Sequence, residues 1–318
     1  MSTAHYHVRH ETLYEYSGEV VHSHQLLHLT PRETPHQSCS GHAISIEPAP
    51  ASSSTGLDAF GNPVMRLEFD RPHQCLSVIA QMNVEVRERT PARVEEAASS
   101  DTRAPDGQIT GESWERVRSQ LAYAGRPPGT ARLEALKYRS ESPHVRIKQV
   151  FNDYAAECFP AGRPVLECAE RLMTKLFKDM TYAPGETNIA TPLMEVIGKR
   201  RGVCQDFAHL MIACLRSRGL AARYVSGYLR TVPIEEGGTT ADPLLGADAS
   251  HAWVAVYCPT AGWVEFDPTN GVRAGTDHIT IAWGRDFGDV SPLRGVIVGG
   301  GRHSVNVRVN VAPVTIDS

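Results

Sequence analysis

Cys204, His251 and Asp267 are the residues whose types and settings could carry covalent chemistry. Cys204 lies in RRGVCQDFAHLMIACLRSRGL, just after Gly202, which reads as a turn residue. Downstream, Phe207, Leu210, Met211, Cys214 and Leu215 recur at helical spacing and form one apolar face. Arg216 and Arg218 fall in the last turn, and Gly219 suits the position that ends a helix. The spacing predicts an amphipathic helix with Cys204 at its N-terminus. Unpaired N–H groups and the positive end of the helix dipole at that point favour a thiolate.

A nucleophilic thiolate needs a base, and the base needs an orienting partner. Both types occur in SHAWVAVYCPTAGWVEFDPTN. The run from His251 to Cys258, a turn at Pro259–Gly262 and a second run from Trp263 to Asp267 read as a hairpin. His251 starts one strand and Asp267 ends the other, so nucleophile, base and orienter can meet in one site. This requires His251 and Asp267 to share a sheet face. A four-residue loop would set Cys258 opposite Trp263 and Val254 opposite Asp267, turning Asp267 away. The pairing must instead bring Trp253 or Ala255 opposite Asp267, or one strand must carry a bulge.

An attacked carbonyl also needs donors for its developing negative charge. The backbone N–H of Cys204 is the first candidate, and Gln205 is a weaker one. Asp206 is expected to favour the helix N-terminus or to pair with Arg223, and His209 to be a hydrogen-bonded polar residue. Asp267 could also cap the turn Pro268-Thr-Asn-Gly. His22 and His24 share a strand face close to His28, yet no third ligand is evident, so no metal site is expected. Asp286 and Asp289 read as surface or ion-pair residues. The seven cysteines (Cys39, Cys75, Cys158, Cys168, Cys204, Cys214 and Cys258) lack zinc-knuckle spacing. All but Cys204 read as reduced structural residues.

The elements that must position these groups divide in two. Over residues 1–90, short alternating runs separated by Pro, Gly and Ser turns predict a β-sandwich domain, with a turn at Ser17–Gly18. Residues 91–112 are polar and small and read as a linker. Residues 113–318 read as an α+β core. Helices are predicted over 112–122, 145–158, 165–177 and 193–199, Pro164 favouring the start of the third. The Cys204 helix and the hairpin follow, then extended segments over 277–284 and 293–314. Hydrophobic residues at 41% and charged residues at 21% predict a folded globular chain. A net charge of -4 gives no electrostatic case for nucleic acid or an anionic membrane. No apolar run reaches membrane-spanning length, and the polar start MSTAHYHVRHETLYEY lacks an apolar signal segment, so a cytoplasmic location is expected.

GVCQDFAHL, ARYVSGYL, SHAWVAVY and WVEFDPTN resemble the bacterial transglutaminase-like cysteine enzymes. HETLYEYSGEV, LTPRETPHQ and DAFGNP resemble the N-terminal domain of the two-domain members, so the likeness runs from Tyr6 to the C-terminal strands. It implies a papain-like core, with the cysteine helix packed on an antiparallel sheet, preceded by the β-sandwich. It implies acyl transfer at amide bonds through a Cys204-His251-Asp267 triad and a thioester, with no metal or organic cofactor and a peptide or protein substrate. Tyr182 enters as an oxyanion donor because the family has a related aromatic upstream of its cysteine block. Three functions remain open. They are a cysteine peptidase or amidase on a peptide or isopeptide, an amine acyltransferase, and a peptide-binding module without turnover. The intact Cys…His…Asp order argues against the last.

Overall fold

Tyr6, Val8, His10 and Thr12 are buried while their neighbours face outward, and this alternation builds the first strand, β1 (Thr3–Leu27). The computed structural model describes residues 2–89, 111–122, 129–230, 245–246 and 250–314, so most of the expected linker lies outside the described residues. β2 (Gln37–Glu47), β3 (Ser52–Leu57), β4 (Pro63–Phe69) and β5 (His73–Arg87) join β1 in the order β2-β5-β1-β4-β3. Two strands from the far end of the chain, β13 (Leu293–Gly299) and β14 (His303–Pro313), also pair with β1. The expected sandwich takes the form of one curled, seven-stranded antiparallel sheet. The turn expected at Ser17–Gly18 is instead a bend within β1. Its backbone N–H groups bond to Arg302 O at 2.8 Å and Gly300 O at 3.1 Å, on the glycine turn that joins β13 to β14. Before the bend β1 pairs with β5 and β14; beyond it, with β4 and β13 and, at Val20, with His73 at the start of β5.

The core begins with α1 (Trp114–Leu121), α2 (Thr130–Leu136), α3 (Gln149–Ala155), α4 (Val165–Asp179) and α5 (Leu193–Lys199). Two short parallel segments, β6 (Thr181–Tyr182) and β7 (Arg201–Gly202), lead into α6 (Cys204–Ser217). The second sheet has the order β11-β10-β9-β8-β12, from β8 (Ala222–Leu229), β9 (His251–Cys258), β10 (Gly262–Asp267), β11 (Val272–Arg273) and β12 (His278–Gly284). A one-turn helix, α7 (Phe287–Val290), precedes β13. α6 packs on β8 and β9 on one side and on α3, α4 and α5 on the other. It is therefore buried all round from Asp206 to Arg216, not on a single face. Its polar side chains are satisfied internally: Arg216 spends its N–H groups on the carbonyls of Tyr138, Ala222 and Arg285 and on Ser142 Oγ.

The N-terminal sheet closes the open edge of the core sheet through two side-chain amides. Gln37 Nε2 donates to Thr280 O and Gln37 Oε1 accepts from Thr280 N, both at 2.7 Å. Asn62 bonds the N–H and C=O of Trp283 in the same way, each at 2.9 Å. Each fully buried amide stands in for one residue of a neighbouring strand, so edge strand β12 has no bare polar rim there. Among the described residues no helix is long and apolar enough to cross a membrane.

Candidate active site

Cys204 opens α6, and Asp206, two residues on, locks that helix start. Asp206 Oδ2 accepts from Val203 N at 2.9 Å and from Thr187 Oγ1 at 2.6 Å. This occupies an otherwise orphaned N–H and puts a carboxylate at the positive end of the dipole. The expected pairing with Arg223 does not occur. That guanidinium lies between the rings of Trp263 and Trp283, 4.4 and 3.6 Å from their centroids. Gly202 does not sit in a left-handed turn; Arg200, at φ 54°, takes that role. What demands glycine at 202 is Asp206, whose Oδ2 would lie 2.5 Å from an added Cβ. Cys204 Sγ is half-buried, 4.0 Å from the carbonyl oxygen of Ser250, the residue before His251.

The β9–β10 hairpin turns in three residues. Ala261 N bonds Cys258 O at 3.2 Å, and Gly262, at φ 70°, rejoins the ladder opposite Cys258. The pairing then runs through Val264 with Val256 to Phe266 with Val254, which sets Asp267 level with Trp253. That is one of the two registers the site required, and it makes His251 the diagonal neighbour of Asp267 on one face. His251 Nε2 donates to Asp267 Oδ2 at 2.8 Å, both side chains being fully buried.

Asp267 collects four further hydrogen bonds. Oδ1 accepts from Thr269 N at 3.0 Å and Asn270 N at 3.3 Å; Oδ2 accepts from Asn270 Nδ2 at 2.7 Å and His278 Nε2 at 3.3 Å. It thus caps its turn and holds His251 at once. Burial alone would raise its carboxyl, but the charge and bond of His251, then the bond from His278, hold it well below the usual carboxylate range. Burial likewise opposes charge on His251, yet Asp267 and Cys204 outweigh it and lift the imidazole from 6.5 to about 10. With Nε2 spent on Asp267, the buried Nδ1 is the nitrogen left for Cys204.

A family model described as the transglutaminase-like superfamily matches residues 152–268, and one for the bacterial transglutaminase-like N-terminal region matches residues 6–85. An uncharacterised protein of Mycobacterium tuberculosis is 37% identical over 321 residues, covering 99% of this chain and 95% of the relative. One from Mycobacterium leprae is 30% identical over 305 residues, covering 96% and 97%. The chain belongs to the transglutaminase-like superfamily. A solved structure from Cytophaga hutchinsonii, of a protein proposed to be a cysteine protease, matches with a TM-score of 0.66. It covers 100% of this chain and 93% of that one at 19% identity, a likeness of fold.

Around the cysteine and histidine of this transglutaminase-like core stand residues that sequence reasoning missed. His278 flanks Asp267 opposite His251. Its Nδ1 accepts from Gly275 N at 3.3 Å, and burial lowers its pKa, so it serves as a neutral donor beside a charged one. Trp253 stacks beside His251 with centroids 6.1 Å apart, and its Nε1 donates to Glu265 Oε2 at 2.6 Å. Glu265 is paired in turn with Arg89, which arrives from the end of β5 and also donates to His278 O at 2.7 Å. A shell reaching into the N-terminal domain therefore fixes the ring beside His251. Asn270 left a signal in the Asp-Pro-Thr-Asn turn, and Trp253 and Glu265 lie on the strands of His251 and Asp267 themselves; His278 and Arg89 come from distant parts of the chain.

Tyr182 lies on β6, paired with Gly202 two residues before Cys204. A Cβ added to Gly246 would come within 2.8 Å of His251 Nδ1 and 3.8 Å of Tyr182 Oη, so the tyrosine hydroxyl and the histidine face one small space. Asn270 pins that glycine's neighbour, Leu245 N donating to Asn270 Oδ1 at 2.8 Å. Gln205 faces another way, into a cavity of about 370 Å³ shared with Pro143, Ile189, Met194 and His209. His209 is buried, accepts from Phe287 N at 3.1 Å and is lowered to about 3, chiefly by that burial. Asp286 caps α7, and Asp289 pairs with Arg285. All seven cysteines are free.

Proposed function

We propose that this protein is a cysteine hydrolase that cleaves a peptide or isopeptide amide through a thioester. The observation carrying this reading is the division of the His251 ring, one nitrogen committed to Asp267 and the other left to Cys204. Cys204 Sγ attacks the carbonyl carbon, and the oxyanion takes donors from the Cys204 backbone N–H and the Tyr182 hydroxyl. His251 gives its Nδ1 proton to the leaving amine as the C–N bond breaks. Water then attacks the thioester, His251 takes its proton, and the thiolate leaves as the acid forms. Asp267 holds the ring and its charge throughout, and no step calls for a metal or an organic cofactor. The substrate is a peptide or protein, and the chain works in the cytoplasm.

Trapping and partition test this reading. An acyl donor with a chromogenic amide should acylate Cys204, detectable as a mass increase on the Cys204 peptide, and release acid in water. Added amine that diverts most of the acyl group would make the protein an amine acyltransferase on the same site. No acylation with any amide donor would leave a binding module and overturn the proposal.

A further inference from the structure

The ligand that the sequence withheld from His22 and His24 stands on the neighbouring strand. β1 and β4 pair with His24 opposite Glu68. One ligand atom from each of His22, His24 and Glu68 lies within 4.8 Å of the others. The two histidines are two residues apart on one face, and their rings converge edge to face, centroids 4.8 Å apart, with Nε2 to Nε2 at 3.0 Å. A register shift between Val20 and His22, against β13, immediately precedes the pair. Bulges of this kind re-aim side chains. His28 takes no part, since its ring nitrogens go to Asp58 and Ser291 O.

We propose that His22, His24 and Glu68 form a binding site for a divalent transition metal ion of the zinc class. Two imidazole nitrogens and a carboxylate oxygen are a donor set for such an ion. Nitrogens each about 2.0–2.1 Å from one tetrahedral zinc stand about 3.3–3.4 Å apart, so the rings, at 3.0 Å, need open by only a few tenths of an ångström to hold the ion. Ser52 Oγ donates to Glu68 Oε2 at 3.1 Å, an outer-shell bond that orients the carboxylate. The fourth position faces solvent, because His24 is exposed and β13 offers only Val296 and Val298 opposite the two histidines. The bound ion ties β1 to β4 and adds no group to the Cys204 site.

The test is zinc titration of the full chain with Cys204 alkylated beforehand, so that its thiolate cannot compete. One zinc per chain is expected, with the imidazole nitrogen resonances of His22 and His24 moving to metal-bound positions. His24→Ala and Glu68→Gln should each weaken binding by about tenfold or more. Both positions are on an accessible face, and melting curves without metal should match the parent. Loss of the zinc-induced rise in melting temperature in both variants is the second readout. Binding that neither variant weakens, or His22 and His24 signals unmoved by excess zinc, overturns the proposal; the contact between the rings would then be a histidine–histidine hydrogen bond.

Discussion

Replacing Asp267 by Asn keeps its shape, removes its charge and leaves the surrounding donors in conflict. An amide oxygen in the Oδ1 position keeps the bonds from Thr269 N and Asn270 N. Its NH₂ then faces three donors at once: His251 Nε2, His278 Nε2 and Asn270 Nδ2. His251 can answer only by moving its proton to Nδ1, which turns a donor toward Cys204 and removes the base. The same tautomer error in a serine-based triad costs on the order of 10⁴ in kcat, and a loss of about 10³–10⁴ is expected here. His278 Nε2 and Asn270 Nδ2 lose their acceptor at residue 267, which destabilises the fold by about 3–5 kcal/mol. The lift of His251 from 6.5 to about 10 is a preference for imidazolium on the order of 5 kcal/mol. Because this folded value is raised, its stabilisation is fully present below 6.5 and is lost as pH rises through about 10. Asp267 has the opposite sign: its contribution is present above 3.8 and fades as pH falls through its lowered folded value. The parent enzyme should lose kcat/KM on an alkaline limb near pH 10, as His251 loses its proton. In the Asn variant that limb moves to lower pH. The assay is acylation rate per folded molecule, taken well below the variant's melting temperature, together with the His251 titration by NMR. A variant that keeps its rate within about tenfold, with His251 still titrating near the parent value, would refute this account of Asp267.

Three further outcomes are expected. Iodoacetamide at mildly acidic pH should modify Cys204 ahead of Cys75, although Cys75 is the more exposed; peptide mapping showing Cys75 first would mean that accessibility alone governs. Gly246→Ala should cut kcat/KM by about 10–100-fold with little change in secondary structure, because the new methyl meets His251 Nδ1 and misplaces the ring. That glycine lies at φ 86° with the nitrogen 2.8 Å from the added Cβ, so an unchanged rate would show that the backbone there moves freely. EDTA should leave amide turnover intact, since thiolate attack needs no Lewis acid; abolition by chelator and rescue by zinc would replace the thioester route with a metal-assisted one.

The three central residues of the site were legible because each sits in a local pattern. A cysteine precedes a helical period, a histidine opens a β-branched run, and an aspartate closes the next. Even the register was constrained by the residue pattern, since only some pairings put His251 and Asp267 on one face. The Pro-Thr-Ala-Gly loop already held the answer: a glycine able to rejoin the ladder opposite Cys258 shortens the loop by one residue. What stayed hidden depends on contacts far apart in sequence. His278 and Arg89 reach Asp267 and Glu265 only after the strands assemble, and Glu68 reaches His24 only across a strand pair. α2 escaped notice because seven residues with a single buried position, Ala135, carry little apolar periodicity. The all-round burial of α6 was masked because its polar residues imply a wet face, whereas α3, α4 and α5 cover it.

The pairing of β13 and β14 with β1 has a consequence for how the chain is made. As the polypeptide leaves the ribosome, β1 can pair early with β4 and β5, which follow it closely. Its other edge has no partner until residues 293–313 are synthesised, after the whole cysteine-bearing core. A nascent chain therefore carries an unclosed strand edge through most of translation, a state open to premature association with other chains. Closing it late, over nearly the full sequence separation, is a slow kind of pairing. The last two strands thus act as a latch: a fragment ending near residue 90 would lack them, and a ribosome stalled before them would hold an N-terminal sheet still open on one side.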